Sequence, residues 1–360
     1  MLFVRISKVM IGGLILKVNE SSSKIIYPSK RIDWIDISKG VLIALTVLGH
    51  SIPGPHYDLD ASALNYIYLF NMPAFFIISG VLYNQSKYKS TKELVIKRSR
   101  RLLVPYITYL IIINGTGILF KFLTGEIAGL LILKEVAKSI YGGKYLGHNA
   151  GVLWFITCLF FVELLFYILD KNIKHKNNKI LILISLYFIA HIQSWYFKAI
   201  SLPLAIDIVL IAIVYYSFGV YFKEKLFNTK YILISFILVI AFIFIRINNI
   251  KFLGIDNYGL ELMGHHNTYL ILDFVIPISF SIIVFNMCKF ISKVDKFKIL
   301  NELGQYTLPI MCLHIIISEN INKILGTQSI VLFTFMGILI PYLISKLGID
   351  RNRKIKKILM

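Results

Sequence analysis

Two ionisable residues, Lys39 and His50, stand eleven positions apart within one apolar run of the sequence. The run, near residues 36–53, is long enough to cross a bilayer as a helix, so both side chains would lie at membrane depth. An ionisable group there costs about 3 kcal/mol or more and is expected to serve a function. Eleven helical steps correspond to about 16 Å of rise and about 20° of rotation, so the two residues share one helix face.

His50 is the stronger candidate for chemistry, because imidazole gains and loses a proton near neutral pH and can act as a general base. Each residue also has a simpler interpretation. Lys39 could extend its amine to the lipid headgroups, and His50 could form a hydrogen bond with a neighbouring helix. The shared helix face favours the functional interpretation of the pair.

The elements that must position these residues are transmembrane helices. Of the 360 residues, 57% are apolar and only 16% are charged, a composition typical of a polytopic membrane protein rather than a soluble domain. We predict an all-α integral membrane protein with about ten transmembrane helices. The predicted spans lie near residues 36–53, 64–83, 102–121, 152–169, 180–195, 204–222, 231–247, 269–288, 303–319 and 329–346.

Positive charge is distributed unequally among the segments that join these spans. Of the 39 Lys and Arg residues, 30 fall in alternate segments beginning with the N-terminal one, and eight fall in the opposite loops. This bias predicts that both termini are cytoplasmic. The net charge of +20 is then explained by topology and by attraction to the anionic lipid bilayer, so nucleic acid is not expected as a partner.

Three regions are predicted along the chain. A cytoplasmic N-terminal extension covers residues 1–30, a transmembrane domain covers 31–346, and a basic cytoplasmic tail covers 347–360. Two of the outer loops, 121–151 and 248–268, are long enough to fold over a site.

Neither the cysteines nor the adjacent histidines predict a metal site. Cys158, Cys288 and Cys312 are far apart inside apolar runs, which is typical of small buried side chains. His265 and His266 are adjacent but have no third ligand at a suitable spacing, so no metal cofactor is expected. Two acidic residues near the outer ends of predicted helices are expected to be solvated, Asp207 and Asp273.

Further motifs accompany the pair Lys39 and His50. They lie at residues 31–40 with 49–51, 70–80, 97–106, 151–155 and 306–314. Together they resemble the membrane-bound acyltransferase 3 family, most closely its stand-alone sugar O-acetylases related to fucose 4-O-acetylase. That family places an Arg or Lys, ten residues and then a His in its first span, as Lys39 and His50 do here. The resemblance covers about residues 31–346.

The resemblance implies an O-acetyltransferase, a multi-pass enzyme of the plasma membrane with ten spans. Such an enzyme moves an acetyl group from cytoplasmic acetyl-CoA to a hydroxyl group of a polysaccharide or lipid-linked sugar beyond the membrane. Direct transfer and a covalent acyl-histidine both remain open as the route.

The resemblance also implies roles for particular residues. His50 would be the general base, and Lys39 would close the pocket from the inner side. Arg98 and Arg101 match an Arg-x-x-Arg motif and, with Lys39, would hold the phosphates of acetyl-CoA, unless they only set the topology. Asn71 stands where many relatives have His or Lys, and it could donate a hydrogen bond to the oxyanion.

Four further residues are candidates for the acceptor side of the pocket: His148, Trp154, Glu163 and His314. His148 and Trp154 would line the mouth through which the acceptor enters. His314 could instead form an interhelical hydrogen bond, and Glu163 could form a structural pair inside the helix bundle.

Two other classes of protein compete with the enzyme. A transporter or flippase for a glycan would also place charged groups inside the membrane, and an inactive assembly subunit would share the fold. We find no inverted repeat, and the spacing of Lys39 and His50 has no evident purpose in transport. We therefore predict an O-acyltransferase, which acyl-CoA-dependent transfer would distinguish from a transporter.

Overall fold

The computed structural model describes residues 6–11, 14–19, 31–51, 66–248, 250–252, 254–255, 258–294, 297–349 and 358–359. The predicted loop between the first two spans and most of the predicted tail 347–360 lie outside these residues. The chain divides into two compact units, Met1–Asp33 and Trp34–Met360.

In the first unit, two strands form an antiparallel hairpin: β1 (Ile6–Ile11) and β2 (Leu14–Asn19). Both strands contain several Ile and Val residues, and two glycines stand between them in the sequence, a pair favoured in two-residue hairpin connections. The all-α prediction did not include this hairpin, because two six-residue segments are too short for their periodicity to stand out from an apolar stretch.

The other named elements of the described chain are helices. In order, the α-helices are α1 (Asp33–His50), α2 (Tyr66–Val81), α3 (Thr91–Leu123), α4 (Leu130–Tyr141), α5 (Trp154–Asn172), α6 (Lys176–Tyr196), α7 (Val209–Phe222), α8 (Thr229–Ile247), α9 (Leu272–Ile291), α10 (Lys298–Gln305), α11 (Thr307–Ile324) and α12 (Ile330–Leu343). Short 3₁₀ segments are Gln85–Lys87, Gly143–Tyr145, His148–Leu153 and Pro203–Ala205. Ser99–Leu103 and Ile111–Gly115 within α3 are π-helical, and so is Ile344–Ile349.

Seven helical segments of the described chain are long and apolar enough to cross a membrane. They are Thr91–Leu123, Asn149–Asn172, Lys176–Tyr196, Pro203–Phe222, Thr229–Ile247, Leu272–Ile291 and Ile330–Gly348, and they coincide with seven of the predicted spans. The other three predicted spans correspond to α1, α2 and α11. The described part of α2 is apolar but short, whereas α1 and α11 contain several charged and polar residues. The protein is thus a multi-pass membrane protein, and a count of ten spans stays a prediction.

The helix α3 begins earlier than predicted. The predicted span 102–121 follows a predicted loop, but the helix starts at Thr91. Ser90 caps this start by accepting a hydrogen bond from the Glu93 N–H at 3.2 Å. Ser and Glu at this spacing are a recognised helix-start signal, which the apolar pattern alone did not reveal. Arg98 consequently lies on a helix and not in a loop.

Two glycines allow α2 and α7 to cross at backbone contact. A Cβ atom at Gly80 would lie 2.0 Å from the Tyr216 carbonyl oxygen, and one at Gly219 would lie 2.0 Å from the Ile77 carbonyl oxygen. Small residues of this kind let transmembrane helices approach closely. The crossing fixes the position of α2, the helix that supplies Asn71.

Replacing Gly219 with Ala should destabilise the protein by about 1–3 kcal/mol, because the added methyl group must displace the backbone of α2. Gly117→Ala in α3 is the matched control, since Gly117 is exposed and, beyond its chain neighbours and the nearby backbone of its own helix, no atom of the described residues lies within 4 Å of its Cβ position. Alanine's higher helix propensity should stabilise the control by up to about 1 kcal/mol. Thermal unfolding in detergent measures both variants, and equal stabilities would contradict the close crossing.

Candidate active site

A cavity of about 190 Å³ lies at the end of α1 that carries His50. Its wall combines residues of α1, α2, α11 and the start of α5 with parts of the two long loops, around residues 146–152 and 260–263. Apart from Val152, both loop parts belong to the segments 121–151 and 248–268 that were predicted to fold over a site. The cavity therefore collects residues that lie more than 250 positions apart in the sequence, from Leu45 to Ile315.

His50, the last residue of α1, lines this cavity. Its imidazole ring packs against two other rings. The Tyr68 ring lies edge-on, with 6.2 Å between ring centroids, and the His314 ring is tilted, with 5.2 Å between centroids. Tyr68 comes from α2 and His314 from α11. Packing of α2 and α11 against α1 thus brings together two histidines that the sequence indicated and one tyrosine that it did not.

His314 is fully buried and holds a defined tautomer. Its Nδ1 atom lies 2.8 Å from the Met311 carbonyl oxygen and 3.0 Å from that of Ile310. Because carbonyl oxygens only accept hydrogen bonds, Nδ1 carries the proton, and Nε2 of the neutral ring carries the lone pair. His314 is not among the described residues that line the cavity, and its predicted role on the acceptor side stays a prediction.

Asn71 of α2 lies in the cavity wall with its amide orientation fixed by a neighbour. Asn71 Nδ2 donates to Thr46 Oγ1 at 2.8 Å, and the Thr46 hydroxyl donates to the Leu42 carbonyl oxygen at 2.9 Å. Since Thr46 has one proton and directs it to Leu42, it can only accept from Asn71. Asn71 Oδ1 is buried and has no hydrogen-bond partner among the described residues. Asn71 therefore keeps an unused acceptor atom, and its predicted contact with an oxyanion stays a prediction.

The loop that covers the cavity is anchored by buried polar contacts. Arg246, at the end of α8, donates from Nη1 to the carbonyl oxygens of Ile255 and Tyr258 at 3.0 and 3.3 Å. Ser194 Oγ of α6 donates to Asn267 Oδ1 at 2.6 Å. These contacts hold both ends of the cavity-lining segment, so its position does not depend on apolar packing alone.

The prediction that Asp207 and Asp273 are solvated is wrong. Both are buried and paired with histidines, Asp207 Oδ2 with His265 Nε2 at 2.8 Å and Asp273 Oδ2 with His191 Nε2 at 3.1 Å. A buried carboxylate needs such a partner because its loss of water is otherwise uncompensated. His265 thereby fastens the covering loop to the segment before α7.

Glu261 is a cavity residue that the sequence pattern did not indicate. It begins a tight turn closed by two backbone hydrogen bonds with His266, at 3.2 and 3.0 Å. Burial raises the pKa of the Glu261 carboxyl group above its ordinary value, and Lys198 opposes that rise. A single acid in a polar loop has no distinctive spacing, so only the length of the loop pointed to this part of the chain.

Lys39 forms an ion pair with Asp36, with 3.3 Å between Nζ and Oδ1. Asp36 is buried, and α10 packs closely against this part of α1, because a Cβ atom at Gly304 would lie 1.7 Å from the Asp36 carbonyl oxygen. Lys39 is absent from the described residues that line the cavity. The predicted role of Lys39 toward a phosphate group stays a prediction. The ion pair with Asp36 was not predicted, because the sequence pattern gave no sign of it.

Arg98 and Glu163 form an ion pair, although they were assigned to opposite sides of the membrane domain. Arg98 Nε lies 2.8 Å from Glu163 Oε2, and the Glu163 side chain is only 5% exposed. This contact matches the structural pair, the alternative left open for Glu163, and its acceptor-side role stays a prediction. Arg101 is exposed, so it remains available to a phosphate group, whereas Arg98 is engaged.

Trp154 is the acceptor-side candidate that does line the cavity. It begins α5, and its ring packs edge-on against Phe155 with 6.0 Å between centroids, so that both form an aromatic part of the wall. His148 begins the preceding 3₁₀ segment, and the prediction for its side chain lies outside the described part of the structure.

The multi-pass helical fold and the histidine-lined cavity between its helices define an integral membrane protein with an internal site. The family model of the acyltransferase 3 domain, described as an acyltransferase domain, matches residues 32–346. The chain therefore belongs to this family, as the motifs predicted, and the protein is a membrane acyltransferase that transfers groups other than aminoacyl. Searches of curated proteins and of solved structures found no match.

Proposed function

We propose that the protein is an O-acetyltransferase of the plasma membrane. It would move the acetyl group of cytoplasmic acetyl-CoA to a hydroxyl group of a polysaccharide or lipid-linked sugar. The position of His50 in the wall of a cavity between the helices carries the proposal. Asn71 and Trp154 share that wall, so the cavity combines a base, a hydrogen-bonding amide and a flat aromatic surface suited to a sugar ring.

His50 would act as the general base. As the oxygen of the acceptor hydroxyl attacks the thioester carbonyl carbon, His50 would take the hydroxyl proton. The new C–O bond forms, the C–S bond breaks, and His50 returns the proton to the departing thiolate, which leaves as the thiol of CoA. The buried ring of His314 beside His50 would limit the orientations that the His50 ring can adopt.

The sidedness of the reaction rests on the charge distribution. With 30 of the 39 Lys and Arg residues in alternate segments, ten spans and both termini cytoplasmic, Arg101 would face the donor side. Its guanidinium group would suit a phosphate of acetyl-CoA. His50 would then lie near the outer end of α1, and the loops that wall the cavity would face the glycan.

The transporter alternative loses its main support. Charged groups inside the helices first suggested a transport path, but Lys39 and Arg98 form ion pairs with Asp36 and Glu163. The family is one of acyltransferases. A catalytic cavity accounts for the polar groups within the helices without requiring a transport path across the membrane.

The proposal predicts transfer of the acetyl group from acetyl-CoA labelled in that group to a glycan fraction. Purified protein in proteoliposomes should produce an ester that mild alkali releases, with an equal amount of CoA thiol. Butyryl-CoA in a parallel reaction would show whether the enzyme discriminates against longer acyl groups. Folded protein that releases CoA thiol only at the background rate and forms no ester would overturn the proposal.

A further inference from the structure

We propose that Glu261 binds the acceptor sugar by accepting hydrogen bonds from two neighbouring uncharged hydroxyl groups. The inference rests on the proposed function and names the class of acceptor, a neutral sugar unit rather than a uronic or other acidic sugar. Among the described residues that line the cavity, Glu261 is the single acid.

The carboxylate of Glu261 has unused hydrogen-bonding capacity. No described residue donates a hydrogen bond to it, although an ionised carboxylate offers about four lone-pair positions. Lys198 lies beyond ion-pair distance and is itself bonded to His266 Nδ1 at 3.0 Å. Glu261 therefore faces the cavity as an acceptor without a donor, and the hydroxyl groups of a sugar are donors of the matching kind.

The turn that carries Glu261 holds its carboxylate in place. A Cβ atom at Gly264 would lie only 2.8 Å from Glu261 Oε2, so the carboxylate lies over the glycine of its own turn. The next residue, His265, is buried and bonded to Asp207, which anchors the turn to the helix bundle. A pre-positioned acceptor loses little conformational entropy when a ligand binds.

The other groups around Glu261 belong to the proposed reaction site. Glu261, Tyr68 and His50 line the same cavity, and the Tyr68 ring packs against that of His50. A sugar bound to Glu261 through two hydroxyl groups would therefore lie beside the proposed base. A negatively charged sugar in the same position would be repelled by the carboxylate.

The test compares Glu261→Gln with wild type on methyl glucoside, galactoside, mannoside and fucoside, and on methyl glucuronide, galacturonide and mannuronide. Hydrogen bonds to a charged group are strong, so the KM for the best neutral glycoside should rise roughly 10- to 100-fold while the KM for acetyl-CoA stays within about twofold. Wild type should prefer each of the neutral glucoside, galactoside and mannoside over its acidic counterpart. Glu261→Gln should lose most of that preference. Gly264→Ala, whose new methyl group displaces the carboxylate, should raise the same KM by a smaller factor.

Glu126→Gln is the matched control, because Glu126 is exposed in a separate loop. An acceptor KM that changes less than twofold in folded Glu261→Gln, or a wild-type preference for the acidic sugars, would overturn the inference alone. Hydrolysis of acetyl-CoA without transfer to any glycoside would also overturn the inference alone. Absence of both hydrolysis and transfer in wild type would overturn the proposed function together with the inference.

Discussion

Replacing His50 with Gln should lower the rate of acyl transfer by about 10²–10⁴-fold, the range typical for loss of a general base. Glutamine retains hydrogen-bonding groups and a similar size but cannot accept the proton. The loss should appear in kcat with little change in either KM, because the base acts in the transition state. Release of CoA thiol at saturating concentrations of both substrates measures the effect.

His175→Gln is the matched control for this substitution, since His175 is exposed directly before α6. It should retain wild-type turnover. His314→Gln distinguishes the two adjacent histidines, because the packing of their rings makes His314 the next candidate for the base. If His50→Gln kept most of its turnover while His314→Gln lost it, the assignment of the base to His50 would be wrong.

Arg98→Gln should destabilise the protein by about 3–5 kcal/mol, because it leaves the carboxylate of Glu163 buried without its cation. The side chain of Glu163 is 5% exposed, so water cannot replace the lost partner. Thermal or denaturant unfolding in detergent, followed by circular dichroism, measures the change. The same substitution at the neighbouring Arg101 should have a much smaller effect on stability.

Two further variants test the cause of that loss. Arg101→Gln, at an exposed position, should change the free energy of unfolding by less than about 0.5 kcal/mol. The double variant Arg98→Gln/Glu163→Gln replaces the ion pair with two neutral amides and should recover much of the stability. A double variant no more stable than Arg98→Gln would show that the unpaired carboxylate of Glu163 does not cause the loss of stability.

Most of the helices could be predicted because a bilayer imposes a length and an apolarity that can be read from one segment at a time. The helices α5 to α9 and α12 therefore agree with their predicted spans. The beginning of α3 depends on a capping serine, and the hairpin β1–β2 depends on the pairing of two six-residue strands. Neither feature changes the hydropathy of a long segment, so neither was predicted.

The residues of the candidate site likewise fall into those that the sequence predicted and those that it did not. His50 could be found because its spacing from Lys39 is a property of one helix, and the family motif contains both. The pairs Arg98–Glu163 and Asp207–His265 depend on which helices and loops are neighbours, and hydropathy does not contain that information. Glu261 enters the cavity only because its loop folds back over α1 and α2.

The most direct test supplies the two substrates from opposite sides of a sealed membrane. Inverted membrane vesicles expose the cytoplasmic face, so acetyl-CoA with a labelled acetyl group is added outside and the neutral glycan acceptor is enclosed in the lumen. Vesicles with the wild-type protein should accumulate labelled O-acetyl ester in the lumen, and vesicles with His50→Gln should stay near background. Equal ester formation by His50→Gln, or ester formed only when both substrates share one side, would contradict acyl transfer across the membrane through the cavity at His50.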